Sequence, residues 1–172
     1  MKKILMVLAQ RDFRDSEYIV TKAFFEKHDI DVKSVSFHDI STGRFGYEVK
    51  NDFNFEKYSD ELKEFDGICF VGGIGSLDFM DNSLTEDLVN YYFENNKVVS
   101  AICAATRLFL HWGILDGKTC TGSNYDGSFS KLCNDSKATY LNKSCVVDGN
   151  VITAEGPRSS EEFALDIIKL LQ

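Results

Sequence analysis

Val98-Val99-Ser100-Ala101-Ile102-Cys103-Ala104-Ala105-Thr106-Arg107-Leu108 decides the fold. Val98 to Ile102 is a short apolar run, rich in β-branched residues, as a buried strand requires. Ala104 to Trp112 carries apolar residues at helical spacing. No loop residue separates the two, so the chain must turn from strand to helix at Cys103. Small residues flank that turn, Ala101 two before and Ala105 two after. This is the pattern of a nucleophile elbow, with Cys for Ser and Ala for Gly. Such a turn lifts the thiol above the sheet at the start of a helix, where the positive end of the dipole favours thiolate. The competing reading is a buried cysteine acting as a small hydrophobe.

Outward from the elbow the pattern is α/β. Lys3–Leu8 reads as the first buried strand, Asp12–Asp15 as a polar loop and Ser16–Lys27 as a helix. Asp31–Phe37 alternates as a second strand. Ser41–Asn54, with two turn glycines, reads as a small β-ribbon outside the main sheet. Tyr58–Glu64 is a short helix and Gly67–Val71 a third strand, followed at once by Gly72-Gly73-Ile74-Gly75-Ser76. The next helix starts at Asn82 or Ser83, with Ser83 and Glu86 spaced as a capping box. Lys118–Thr121 reads as strand five, Gly122–Gly127 as a loop and Ser128–Cys133 as a helical turn. Asp148-Gly149 marks a hairpin between Ala138–Val147 and Val151–Ala154. Ser159 and Glu162 suggest a second capping box before a terminal helix. Strands alternating with helices make an open sheet, whose ligands bind beyond the C-terminal strand ends. No boundary divides residues 1–172.

Composition narrows the function. The 172 residues carry 27 acidic and 19 basic side chains, a net charge of -8. That balance argues against nucleic acid and anionic membranes as partners. The apolar run after Lys2-Lys3 is too short for a signal peptide, and no stretch is long enough to cross a membrane. Five cysteines without C-x-x-C spacing suggest neither a disulfide framework nor a zinc site, so no metal is expected and a reducing cytoplasm is. Gly72-Gly73-Ile74-Gly75 lacks the spacing of a phosphate loop. Beside a nucleophile, the N–H groups of Gly73 and Ile74, with that of Ala104, could form an oxyanion hole; a plain glycine turn is the alternative. Glu17 stands in the first turn of the first helix, where an acid also suits the dipole.

Ala101-Ile102-Cys103-Ala104 resembles the nucleophile motif of the ThiJ/PfpI superfamily, which includes the Parkinson-associated protein deglycase and PfpI-type intracellular proteases. Thr42-Gly43-Arg44-Phe45-Gly46-Tyr47-Glu48-Val49 is similar to its ribbon. Phe70-Val71-Gly72-Gly73 resembles its glycine turn, and Val147–Thr153 and Gly156–Leu165 its terminal hairpin and helix. The resemblance implies a flavodoxin-like three-layer sandwich of the class I glutamine amidotransferase type, with a mostly parallel sheet, no cofactor and a homodimer. It also implies that Glu17, in Phe13-Arg14-Asp15-Ser16-Glu17, reaches Cys103; Asp15 is the alternative. A buried carboxyl there would keep its proton and donate it. Protease-like members carry His directly after the Cys, where this chain has Ala104. Deglycase-like members carry His in the loop after strand five, where this chain has Thr121-Gly122-Ser123-Asn124-Tyr125. His28 and His111 read as helix-surface residues. His38, at the proper sheet edge, is an outside candidate for a base, and Tyr47 and Tyr125 are candidate pocket residues. The expectation is a cysteine-dependent enzyme acting on reactive aldehydes, their small-molecule or protein adducts, or amides. The alternative is a non-enzymatic redox-sensing or chaperone-like stress protein in which Cys103 is oxidised.

Overall fold

The computed structural model describes residues 1–172. In chain order the elements are β1 (Lys3–Val7), β2 (Arg11–Phe13), α1 (Asp15–Lys27), β3 (Asp31–Ser36), β4 (Ile40–Gly43), β5 (Glu48–Lys50), β6 (Phe53–Asn54) and β7 (Gly67–Phe70). There follow α2 (Ser83–Glu94), β8 (Val98–Ile102), α3 (Thr106–His111), β9 (Thr119–Cys120), α4 (Ser128–Asn134), β10 (Thr139–Tyr140), β11 (Cys145–Asp148), β12 (Val151–Ala154) and α5 (Ser160–Leu171). Short 3₁₀ turns fill several joints, including Ile74–Phe79 and Cys103–Ala105.

Seven strands form the main sheet, in the order β11-β12-β8-β7-β1-β3-β6. All neighbours run parallel except β11, which returns antiparallel along β12. The strands at the centre are apolar throughout because both faces are covered: Ile4 to Val7 and Ile68 to Phe70 are fully buried. On one side α1 packs against α5, and α5 against β8 and β12; α2 and α3 pack on β7 and β8. The result is a flavodoxin-like sandwich. Its sheet changes direction of growth between β1 and β7, the crevice where such sheets bind ligands.

Several local expectations change. Asp12–Asp15 is not a plain loop: β2 pairs with β4, and β4 with β5, so the ribbon is a three-stranded sheet. Phe53 and Asn54 leave the ribbon and extend the main sheet beside β3. Thr119–Cys120 pairs only with Thr139–Tyr140 in a separate two-stranded sheet, so it is not a main-sheet strand. The place next to β8 is taken by β12, whose longer apolar run buries more surface there. The Asp-Gly hairpin forms, but its first strand is shorter than expected, Cys145–Asp148 against Val151–Ala154, because Thr139–Tyr140 pairs with β9 instead.

Neither capping box forms. Asn82 caps α2, accepting Thr85 N–H at 3.1 Å. Ser159 makes no cap bond, and Glu162 instead accepts from Ser144 Oγ. The cap thus sits one residue upstream of the expected box and takes Thr85 N–H, while Glu86 N–H goes to the Asn82 carbonyl.

Asp15 ties the ribbon to the main body. Its buried carboxylate accepts Phe45 N–H and Tyr47 N–H, each at 2.9 Å. Gly43 is required beneath it, since a Cβ there would collide with the carboxylate. Asp15→Ala should destabilise the protein by about 3 kcal/mol in urea unfolding, the order expected when charge-assisted hydrogen bonds are lost inside a structure.

Candidate active site

Cys103 follows β8 without a linker and has φ 60°. A non-glycine residue in the left-handed region costs about 1–3 kcal/mol and persists only where its surroundings hold it. Here the Cys103 carbonyl accepts from Thr106 Oγ1 at 2.8 Å and from Ser123 N–H at 3.4 Å. Ala101 and Ala105 are fully buried on either side, where bulkier residues would clash. The elbow therefore has the geometry that the spacing predicts.

Glu17 comes up from the first turn of α1 and is fully buried. Its Oε2 accepts Gly72 N–H at 2.8 Å, while Oε1 has no hydrogen-bond partner. Gly72 must be glycine, because a Cβ would fall 2.7 Å from Cys103 Cβ, 2.5 Å from the Ile102 carbonyl and onto Glu17 Oε2. Carboxyl, glycine turn and thiol thus meet at one point. Gly73 has φ 98°, and a Cβ on it would meet Arg14 N at 2.6 Å. That close approach accompanies a bond from Arg14 N–H to the Gly72 carbonyl at 2.9 Å, which fixes the entry of α1.

Burial pushes the Glu17 carboxyl up to about 7, partly offset by the Cys103 contact, the Gly72 N–H and the charge of Arg14. Burial, and then the ionised Glu17 carboxylate, push the Cys103 thiol up to about 11, against the N–H groups of Ala104 and Gly73. The two groups titrate as a pair. One proton leaves the pair near neutral pH. The thiol then faces a carboxylate and holds the second proton. Burial and the carboxylate thus act against the lowering that a helix N-terminus would give. The turn at Cys103–Ala105 and the six residues of α3 give a weak dipole, and burial outweighs it.

The N–H groups facing the sulfur are those of Gly73 and Ala104. Ile74 lines the cleft but leaves its side chain 62% exposed. The cleft above Cys103 holds about 550 Å³ and is bordered by Asp12, Arg14, Arg44, Ser123, Tyr125 and Pro157. A smaller cavity of about 270 Å³ adjoins it across Tyr125 and contains Glu155 and Arg158. Of the expected pocket residues, Tyr125 is in place. His38 and Tyr47 are not. His38 sits exposed after β3, its carbonyl taken by Asn51 Nδ2 at 2.9 Å. Tyr47 turns its ring onto Tyr18, because Asp15 and Gly43 hold its backbone in the ribbon turn. His28 and His111 lie at helix surfaces, the first bonded to Phe24 O at 2.8 Å and the second 3.7 Å from Asp81. Arg14 and Arg44 also border the cleft, though nothing local in the Phe13–Glu17 or Thr42–Val49 segments says where their side chains point. No group of three His, Cys, Asp or Glu side chains converges as metal ligands would.

The DJ-1/PfpI family model matches residues 2–170. The chain belongs to the DJ-1/PfpI family. Among DJ-1/PfpI relatives, MJ0967 of Methanocaldococcus jannaschii is 35% identical, covering 99% of this chain and 82% of that one. Deglycase PH1704 of Pyrococcus horikoshii is 27% identical over 98% of this chain and 99% of its own length. The crystal structure of a ThiJ/PfpI domain protein from Brachyspira murdochii superposes with a TM-score of 0.90 at 29% identity, over 98% of this chain and 95% of that one. The DJ-1/PfpI fold is therefore shared. No helix of this member is long and apolar enough to cross a membrane.

A carboxyl that holds its proton more tightly when folded, near pH 7 against an ordinary 4.5, favours folding most below pH 4.5. That advantage is lost as pH rises towards 7. Glu17→Gln should remove this dependence and raise stability at pH 8 by about 3 kcal/mol relative to wild type, with little change at pH 4. Urea unfolding at the two pH values checks it.

Proposed function

We propose that the protein is a cysteine-dependent enzyme acting on reactive aldehydes or their adducts, in the manner of a glyoxalase or deglycase. The observation that carries this is the meeting of Cys103, the buried Glu17 carboxyl and the Gly73 and Ala104 N–H groups in one cleft. The proton passes from the thiol to Glu17, and the thiolate adds to the carbonyl carbon. A C–S bond forms as the carbonyl π pair moves to oxygen. The Gly73 and Ala104 N–H groups hold that oxygen until Glu17 returns the proton and completes a hemithioacetal. With a 2-oxoaldehyde, the Glu17 carboxylate can then move a proton from C1 to C2, which leaves a thioester on Cys103; water adds to its carbonyl, the C–S bond breaks, and the 2-hydroxy acid leaves as the thiol regains its proton.

Adding a thiol to an aldehyde needs one proton carrier, which Glu17 supplies. Amide hydrolysis also needs an acid for the leaving amine, and no histidine borders the cleft. Aldehyde chemistry is therefore favoured over proteolysis. The name of PH1704 as a deglycase agrees with this reading. A homodimer working in the cytoplasm belongs to the same proposal.

A second reading rests on the unpartnered Glu17 Oε1. A protonated carboxyl there could donate to an oxygen of Cys103 sulfinate, formed by two equivalents of peroxide, as a redox sensor would require. One experiment separates the two. Cys103→Ser and Glu17→Gln should each lower methylglyoxal turnover by at least about 100-fold, the usual contribution of an acid–base or nucleophilic group. No turnover in wild type, with a stoichiometric gain of two oxygens on Cys103 by intact mass, would replace the enzyme with the sensor.

A further inference from the structure

Arg14 precedes α1 and borders the same cleft as Cys103. Its guanidinium carbon lies 5.1 Å from the centre of the Phe45 ring, which orients the group without satisfying its donors. Its Nε is buried and has no hydrogen-bond partner. The one carboxylate on the cleft border, Asp12, is engaged by Arg44 at 3.5 Å. Glu17 below feels the charge of Arg14, but its Oε2 is spent on Gly72 N–H. Arg14 is thus a permanent cation in the thiol's cleft whose inner donor has no acceptor. Leaving such a donor unpaired inside a protein costs about 1–3 kcal/mol. A planar guanidinium matches a carboxylate two bonds at a time. The setting sharpens the point, because the chain as a whole has net charge -8 and repels anions.

We propose that Arg14 selects an anionic substrate, a small carbonyl compound bearing a carboxylate such as a 2-oxo acid or aldehyde acid, and presents its carbonyl carbon to Cys103. This rests on the reading of Cys103 as the nucleophile and names the substrate class. The thiol gives its proton to Glu17 as sulfur adds to the carbonyl carbon, the carbonyl π pair moves to oxygen, and that oxygen takes the proton from Glu17. The carboxylate stays unchanged on Arg14. Arg14 is a specificity determinant, and its charge is what matters.

Iodoacetate and iodoacetamide test this. Both alkylate a thiolate with loss of iodide, and they differ in one negative charge. Their rate ratio at Cys103 cancels any change in thiol ionisation. In the wild type iodoacetate should react faster than iodoacetamide, the reverse of a free thiolate. Arg14→Gln should lower the ratio at least about fivefold, while Arg14→Lys, which keeps the charge, should retain most of it. A ratio unchanged in Arg14→Gln overturns the proposal. If Cys103 reacts with neither reagent, the nucleophile reading fails, and the anion site is judged separately in Cys103→Ser. There, oxamate should shift the Arg14 Nε–H NMR signal saturably and acetamide should not. Absence of an oxamate shift overturns the proposal whatever the thiol does.

Discussion

The hydrogen bond from Gly72 N–H to Glu17 Oε2 holds the site together. It joins the first turn of α1 to the turn after β7, directly against the elbow after β8. Without it, a buried carboxyl would have one anchor fewer and the thiol no fixed neighbour. Its cost is visible in the backbone. Gly72 can carry no side chain, Gly73 takes a positive φ, and Cys103 occupies a left-handed conformation that few non-glycine residues adopt. Three strained or crowded joints converge at the C-terminal ends of β7 and β8, beside the crevice where the sheet reverses its order of growth.

The same burial sets the chemistry. Removing Glu17 from water raises its carboxyl towards neutrality, and removing Cys103 from water keeps its thiol protonated. Each would be inert alone. In the proposed mechanism they exchange a proton side by side, and the Gly73 and Ala104 N–H groups compensate the thiolate while it exists. A dipole from a long helix is not needed. Arg14 and Arg44 bring two cations to a cleft border that carries one carboxylate, Asp12, so the border differs in sign from the acidic chain around it.

Much of this was legible in the sequence, for reasons that differ by element. Val98–Ile102 followed by Cys103 between alanines leaves few other ways to fold, so the elbow was readable from local sterics. Glu17 could be placed against Cys103 only through the family resemblance, since an acid in a first helical turn has an ordinary explanation. Thr119–Cys120 could not be assigned to a sheet, because strand neighbours are chosen by competition and β12 wins the edge of β8. His38 and Tyr47 lay at plausible chain positions, but their directions depend on long-range bonds from Asn51 and Asp15. The ionisation of Cys103 required weighing burial against a helix end, which spacing does not measure. Arg14 was in view and silent for the same reason.

The proposed chemistry depends most on the Glu17 carboxyl titrating near neutral pH, so that it can both accept and return a proton. Carbon-13 NMR of the Glu17 side-chain carboxyl, titrated in Cys103→Ser so that no thiol competes, measures this directly. A midpoint near 7 is the predicted result. A midpoint at or below the ordinary 4.5 would contradict it, because such a carboxylate would be too weak a base to take up the thiol's proton.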